Sequence, residues 1–145
     1  MAKSSDRVAL VTGSSRGIGF EIARRLGRDG YSVVLNCNRR VDELKRAHEL
    51  LRETTAAEYF VADVSDYQQA GSLIDFALEK WGRLDVLVNN AGIIRDKFFH
   101  RMEPSDWIEV IQVNLMGAIH CAHHTVSRMK QRKQGRIVNI ASVVA

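Results

Sequence analysis

Val8-Ala9-Leu10-Val11-Thr12-Gly13-Ser14-Ser15-Arg16-Gly17-Ile18-Gly19 is the stretch from which the rest of the chain can be worked out. Four apolar residues form a buried strand, and glycines spaced Gly13-x-x-x-Gly17-x-Gly19 form a tight turn. Ile18, Ile22 and Leu26, four residues apart, then open an amphipathic helix. Such glycines let the main chain turn sharply and come close to a pyrophosphate. The helix start adds unpaired N–H donors and a partial positive charge. The spacing differs from the common G-x-G-x-x-G but serves the same physical purpose.

Outward from this stretch, strand and helix alternate. Gly30 follows the first helix as a left-handed cap, and Tyr31 to Leu35 reads as a second strand. A helix with Leu44, Ala47 and Leu51 on one face leads to a third strand, Tyr59 to Ala62. Ala70, Leu73, Ile74, Ala77, Leu78 and Trp81 mark the next helix, which ends at Gly82 before a fourth strand, Leu84 to Val88. One long helix is expected from about Pro104 to Lys133, closed by Gly135, and Ile137 to Ile140 is the fifth strand. Apolar strands without alternation, separated by amphipathic helices, indicate a parallel sheet covered on both faces. The expectation is an α/β fold, a Rossmann-type doubly wound sheet of five strands in order 3-2-1-4-5, forming a single domain over 1–145.

Composition narrows the function classes. The 145 residues carry a formal charge of +4 and a single proline, which fits one soluble globular domain. No run is long enough for a membrane span, and the first residues lack the apolar core of a signal peptide. Cys37 and Cys121 form no metal or disulfide pattern and suit a reducing, cytoplasmic setting. No basic stripe interleaved with aromatics points to nucleic acid. His120, His123 and His124 crowd one helix without the spacing of a metal site, so no metal is expected and packing is the reading for all three.

Several motifs fall in order along the chain: Thr12-Gly13-x-x-x-Gly17-x-Gly19, Asp63-Val64, Asn89-Asn90-Ala91-Gly92, Asn114 and Ser142. On these the chain resembles the short-chain dehydrogenase/reductase family. Asn90 to Asp96, Met102, Trp107 and Gly135 to Ile140 are similar to the 3-oxoacyl-carrier-protein reductases and acetoacetyl-CoA reductases within it. The resemblance implies a cofactor site built from Gly13, Ser15, Arg16, Gly17, Ile18 and Gly19, with Asp63 and Val64 at the adenine and Asn90, Ala91 and Gly92 at the adenine-side ribose. A loop or N-cap carboxylate is the alternative for Asp63. It also implies that Asn114 accompanies a helix kink and holds a water of the proton relay, and that Ser142 donates to the substrate carbonyl.

Charge selects between cofactors. Leu35-Asn36-Cys37-Asn38-Arg39-Arg40 holds no acid before Asp42, where an NAD-binding fold would place one for the ribose 2′-OH. A 2′-phosphate could instead pair with Arg39 or Arg40, and the resemblance implies that Arg16 points to the same region and that Asn38 and Arg39 belong to the cofactor site, so NADP(H) is expected. Arg39 and Arg40 as solvated residues at a helix start are the alternative.

The implied substrate is a 3-oxoacyl thioester, on acyl carrier protein or CoA. Arg128, Lys130, Arg132, Lys133 and Arg136 are a candidate docking patch for an acidic carrier, or simply cations complementing a helix C-terminus. The family's proton donor is a tyrosine about a dozen residues past the serine, followed four residues on by a lysine. None of Tyr31, Tyr59 and Tyr67 has a lysine four positions on, and the chain stops at Ala145. The expectation is a chain truncated after the fifth strand, inactive or nearly so by itself, with that strand left as an apolar edge. Alternatives are a noncatalytic NADP-binding or subunit-pairing module, or a fragment of a sugar or alcohol dehydrogenase. The resemblance implies a homo-oligomer, with no nucleic-acid or membrane partner.

Overall fold

A computed structural model describes residues 6–142. Strands β1 (Val8–Val11), β2 (Ser32–Cys37), β3 (Ala57–Val61), β4 (Val86–Asn89) and β5 (Arg136–Asn139) form one sheet in the order β3-β2-β1-β4-β5. Every pairing is parallel: Val11 lies beside Leu35 and Val88, and Val88 beside Val138. The expected Rossmann-type order is therefore observed, with β1 as expected and the boundaries of the other strands shifted by one or two residues.

Alternation along β1 divides the core into two layers. Val8 and Leu10 pack with Leu73, Ile74, Ala77 and Cys121 on one face, against α3 (Tyr67–Trp81) and α5 (Gly117–Gln131). Ala9 and Val11 pack with Ala23, Leu44 and Leu51 on the other, against α1 (Gly17–Arg28) and α2 (Val41–Arg52). Helix ends follow local chemistry. The Asp66 side chain accepts from Gln69 N to cap α3, and Gly82, at φ 70°, closes it.

Two expectations need correction. The Ile18–Ile22–Leu26 stripe is only in part the packed face of α1. Ile18 is 69% exposed, Ile22 and Leu26 are partly buried against the core, and the fully buried positions are Gly19, Ala23 and Gly27. The helix lies so close to its neighbours that a Cβ on Gly27 would stand 2.8 Å from Thr55 Cγ2, so the packed face selects small residues. The long helix from Pro104 is not uniform either. It runs as α4 (Pro104–Val110), a π-helical stretch from Ile111 to Met116, and α5. Its end turns at Lys133, whose φ is 53°, and not at Gly135. Gly135 is small for another reason: a Cβ there would run into the Met129 side chain.

Candidate functional site: a cleft at the carboxyl ends of the strands

The glycine loop leaves β1 at a point where three strands are tied together. Thr12 N donates to Val88 O at 3.0 Å, while Thr12 Oγ1 accepts from Asn90 N and Ala91 N, each at 3.0 Å. Asn90 Nδ2 donates to Thr12 O and Gly13 O, both at 3.0 Å, so the loop after β4 holds the loop after β1. Gly13 is pressed against that loop: its φ is +61°, and a Cβ would sit 2.7 Å from Ala91 Cα. On the other side Ser14 Oγ donates to Val11 O at 2.6 Å and accepts from Asn36 N at 3.0 Å.

Asn36, only 2% exposed, extends the lattice to β3. Its Oδ1 accepts from Gly13 N, and its Nδ2 donates to Phe60 O and Ala62 O, both at 3.1 Å. Thr12, Ser14 and Asn36 were not picked out from the sequence as site residues. The available signal was a polar Asn within an apolar strand, which a fully buried strand accepts only if every polar atom is bonded.

These loops frame a cleft of about 390 Å³. Gly13, Ser15, Arg16, Gly17, Ile18, Gly19, Asn38, Asp63, Val64, Asn90, Ala91 and Gly92 all line it. Arg39 does not; its neighbour Arg40 stands in the wall instead. Asp63 is partly committed to its own loop, since Oδ1 accepts from Ser65 N at 3.0 Å and from Ser65 Oγ at 2.6 Å. The stretch free of acid around Arg39 is also incomplete in space. Glu43, from the first turn of α2, pairs with Arg40 at 2.8 Å and stands 3.7 Å from Arg16 Nε. Cys37, at the end of β2, lines the same cleft, and burial pushes its thiol pKa up despite main-chain N–H groups of Arg40 and Arg39.

Asn114 and Ser142 share a second cleft of about 720 Å³, which continues from the first past Ile18, Asn90 and Gly92. Asn114 lies in the π-helical stretch, where an extra residue per turn carries it toward the loop after β4. Its Oδ1 accepts from Ile93 N at 2.8 Å and its Nδ2 donates to Ile93 O at 3.0 Å, a two-point clamp on that loop. Ser142 is exposed at the lip of the cleft.

The remaining polar clusters have structural partners. His120 Nδ1 bonds Val64 O at 3.0 Å, His124 Nε2 bonds Tyr67 O at 3.0 Å and His123 Nδ1 bonds Tyr67 Oη at 2.9 Å. The three histidines thus fasten α5 to the start of α3, and among the described residues no cluster could hold a metal ion. No helix of the described residues is long and apolar enough to cross a membrane. Arg132 of the basic group donates to Asp85 Oδ1 at 2.9 Å.

A profile of the short-chain dehydrogenases matches residues 7–145. The chain belongs to that family. An acetoacetyl-CoA reductase of Paracoccus denitrificans is 44% identical over 137 residues, covering 94% of this chain and 55% of the relative. A 3-oxoacyl-(acyl-carrier-protein) reductase of Staphylococcus aureus is 37% identical over 94% of this chain and 56% of its own length. The chain therefore spans about half the length of the curated relatives it matches. Among solved structures, an actinorhodin polyketide ketoreductase with NADPH superposes with a TM-score of 0.92 at 36% identity, over 98% of this chain and 55% of that one. A metagenomic short-chain oxidoreductase in complex with NADP gives 0.89 at 37% identity, over 97% and 64%.

Proposed function

We propose that these residues are the cofactor-holding part of an NADP(H)-dependent reductase of 3-oxoacyl thioesters. The observation that carries the cofactor choice is the pairing of Arg16 and Arg40 on one wall of the glycine-loop cleft. Two guanidinium groups beside a strand end without its own carboxylate match a phosphate monoester and gain nothing from a ribose hydroxyl. Helix α1 starts at the cleft with Gly17, Ile18 and Gly19 and has no side-chain cap, so its first-turn main-chain N–H groups supply the donor set a pyrophosphate requires.

When bound, the dinucleotide supplies the hydride. This chain's residues position and polarise. Asn90 and Thr12 keep the glycine loop in place, and the Asn114 clamp fixes Ile93 where the two clefts meet. Ser142 Oγ, at the lip of the second cleft, would donate a hydrogen bond to the 3-keto oxygen and make the carbon more electrophilic. None of the three tyrosines is placed to protonate that oxygen. Tyr31 and Tyr59 bond or pack with Arg7 and His48, and Tyr67 is held by the histidines; none lines either cleft. The thioester substrate is supported by the names of the two curated relatives.

Fluorescence titration tests the reading. NADPH should bind the 145-residue chain roughly ten-fold more tightly than NADH, and Arg16→Ala should remove most of that difference while sparing NADH. Equal affinities would sink the cofactor assignment. An assay with acetoacetyl-CoA and NADPH should show no appreciable turnover by these residues alone; ordinary turnover would mean that the acid lies among them.

A further inference from the structure

Glu43 sits in the first turn of α2, and its carboxylate lies between two guanidinium groups carried by different parts of the chain. Arg40 Nη1 donates to Oε1 at 2.8 Å, and Arg16 Nε stands 3.7 Å from Oε2. Oε2 is screened from water and accepts no hydrogen bond. A first-turn glutamate ordinarily faces water and gains a little from the helix dipole. Here an anionic oxygen has given up water without acquiring a donor, an unfavourable state that the two cations offset. Arg16 and Arg40 both line the cleft, whereas Glu43 does not. The carboxylate holds the place of an anion between two cations that face the cleft.

We infer that Glu43 is an internal competitor for the 2′-phosphate, a specificity-determining residue that narrows the preference for NADP(H) over NAD(H); this rests on the NADP(H) reading above. Two guanidinium charges and one carboxylate leave a net charge near +1 facing a group that carries nearly −2 at neutral pH. To grip the phosphate, Arg16 and Arg40 must release Glu43 or share themselves with it, and the carboxylate also repels the arriving dianion. A ribose hydroxyl is neutral and meets neither effect, so the competition acts on the phosphate alone. The pairs are partly exposed, with side-chain exposures of 64% and 38% for Arg16 and Glu43, so solvent keeps the effect to a few-fold.

The test is Glu43→Gln in the 145-residue chain, which keeps the shape and removes the charge. Equilibrium titrations with NADPH, NADH and 2′,5′-ADP at low and high ionic strength provide the readout. NADPH and 2′,5′-ADP should bind on the order of five-fold more tightly than to the wild type, NADH should not change, and salt should shrink the gain. Asp42→Asn removes an exposed charge from the same turn and is the control. It should change NADPH binding much less, because Asp42 is not interposed between the arginines. Weaker NADPH binding by Glu43→Gln would make Glu43 a support for the arginines and overturn the inference. A parallel shift for all three nucleotides, or no shift, would overturn it equally. Wild-type chain that bound NADH as tightly as NADPH would instead defeat the cofactor reading, and an unmoved NADPH-to-NADH ratio on substitution defeats only the role of Glu43.

Discussion

The wall of the cleft built by β1, β2 and β4 and the wall built by β5 with the π-helical stretch are finished to different degrees. Every residue of β1, β2 and β4 is buried, and the loops that leave them are cross-bonded through Thr12, Asn36 and Asn90. Across the β4–β5 ladder the contrast is direct, because Val88 is 3% exposed and its register partner Val138 is 43% exposed. Ile111, Leu115, Ile119 and Val126 continue that uncovered apolar surface along the helices. The part that would hold a nucleotide finds its partners within these residues. The part that would hold a substrate presents apolar surface that no other described residue covers. The change from fully buried to largely exposed strand falls between β4 and β5.

Asp85 joins the two parts, so its loss gives the largest expected effect. It is 5% exposed, accepts from Val8 N at 2.8 Å, and pairs with Arg83 at 2.8 Å and Arg132 at 2.9 Å. Burial pushes its carboxyl pKa up, but the bonds from Arg83, Val8 N and Arg132 outweigh burial and bring it from 3.8 down to about 2. Asp85→Ala should cost about 3 kcal/mol in chemical denaturation, since it strands an N–H and two cations. Because the folded-state value lies below the unfolded one, this stabilisation is complete above about pH 4 and disappears as the pH falls toward 2. The wild type should lose about 2 kcal/mol over that window relative to Asp85→Ala. A flat difference between the two proteins across that window would show that Asp85 does not connect the halves through its charge.

The better-built part was also the more legible. Buried apolar runs separated by helical periodicity point to the sheet order, and a glycine- or asparagine-rich loop after each inner strand marks the cleft. What escaped the sequence depends on space. Periodicity weighs hydrophobicity, so it selected Ile18, Ile22 and Leu26 on α1, whereas a helix packed this closely buries its smallest residues, Gly19, Ala23 and Gly27. The π-helical stretch around Asn114 has no composition of its own; the family resemblance implied a kink at that residue, but not the side chain's partner, Ile93, 21 positions away. Glu43 drew no notice in the sequence because its second partner, Arg16, comes from the glycine loop. Arg40 rather than Arg39 faces the cleft because the turn into α2 aims one and not the other, an angle that the two adjacent arginines do not encode.

Within the well-built part, two glycines two positions apart should respond very differently. A Cβ on Gly19 would run into Asn90 Nδ2 and Gly13 O, the groups that clamp the loop. Gly19→Ala should therefore lower stability by about 2 kcal/mol and weaken NADPH binding at least roughly ten-fold. Gly17, at φ +57°, has nothing within 4 Å of a Cβ. Gly17→Ala should show only the backbone strain of about 1 kcal/mol, measured by denaturation alongside the binding titration. Equal effects would mean that the loop tolerates displacement and that its cross-bonding to Asn90 is not what sets its shape.

The smallest effect belongs on the unfinished wall. Val138 sits on the edge strand with nearly half its surface exposed, so replacing it removes little buried apolar area. Val138→Lys should change the denaturation free energy by less than about 0.5 kcal/mol. The same substitution places a charge on an edge that offers unpaired main-chain groups and apolar side chains to a neighbouring molecule, and charges on edge strands oppose such pairing. Light scattering at rising concentration should show less self-association for Val138→Lys than for the wild type. A loss of several kcal/mol would instead mean that β5 is covered in solution, and the contrast between the two walls would fail at the strand that defines it.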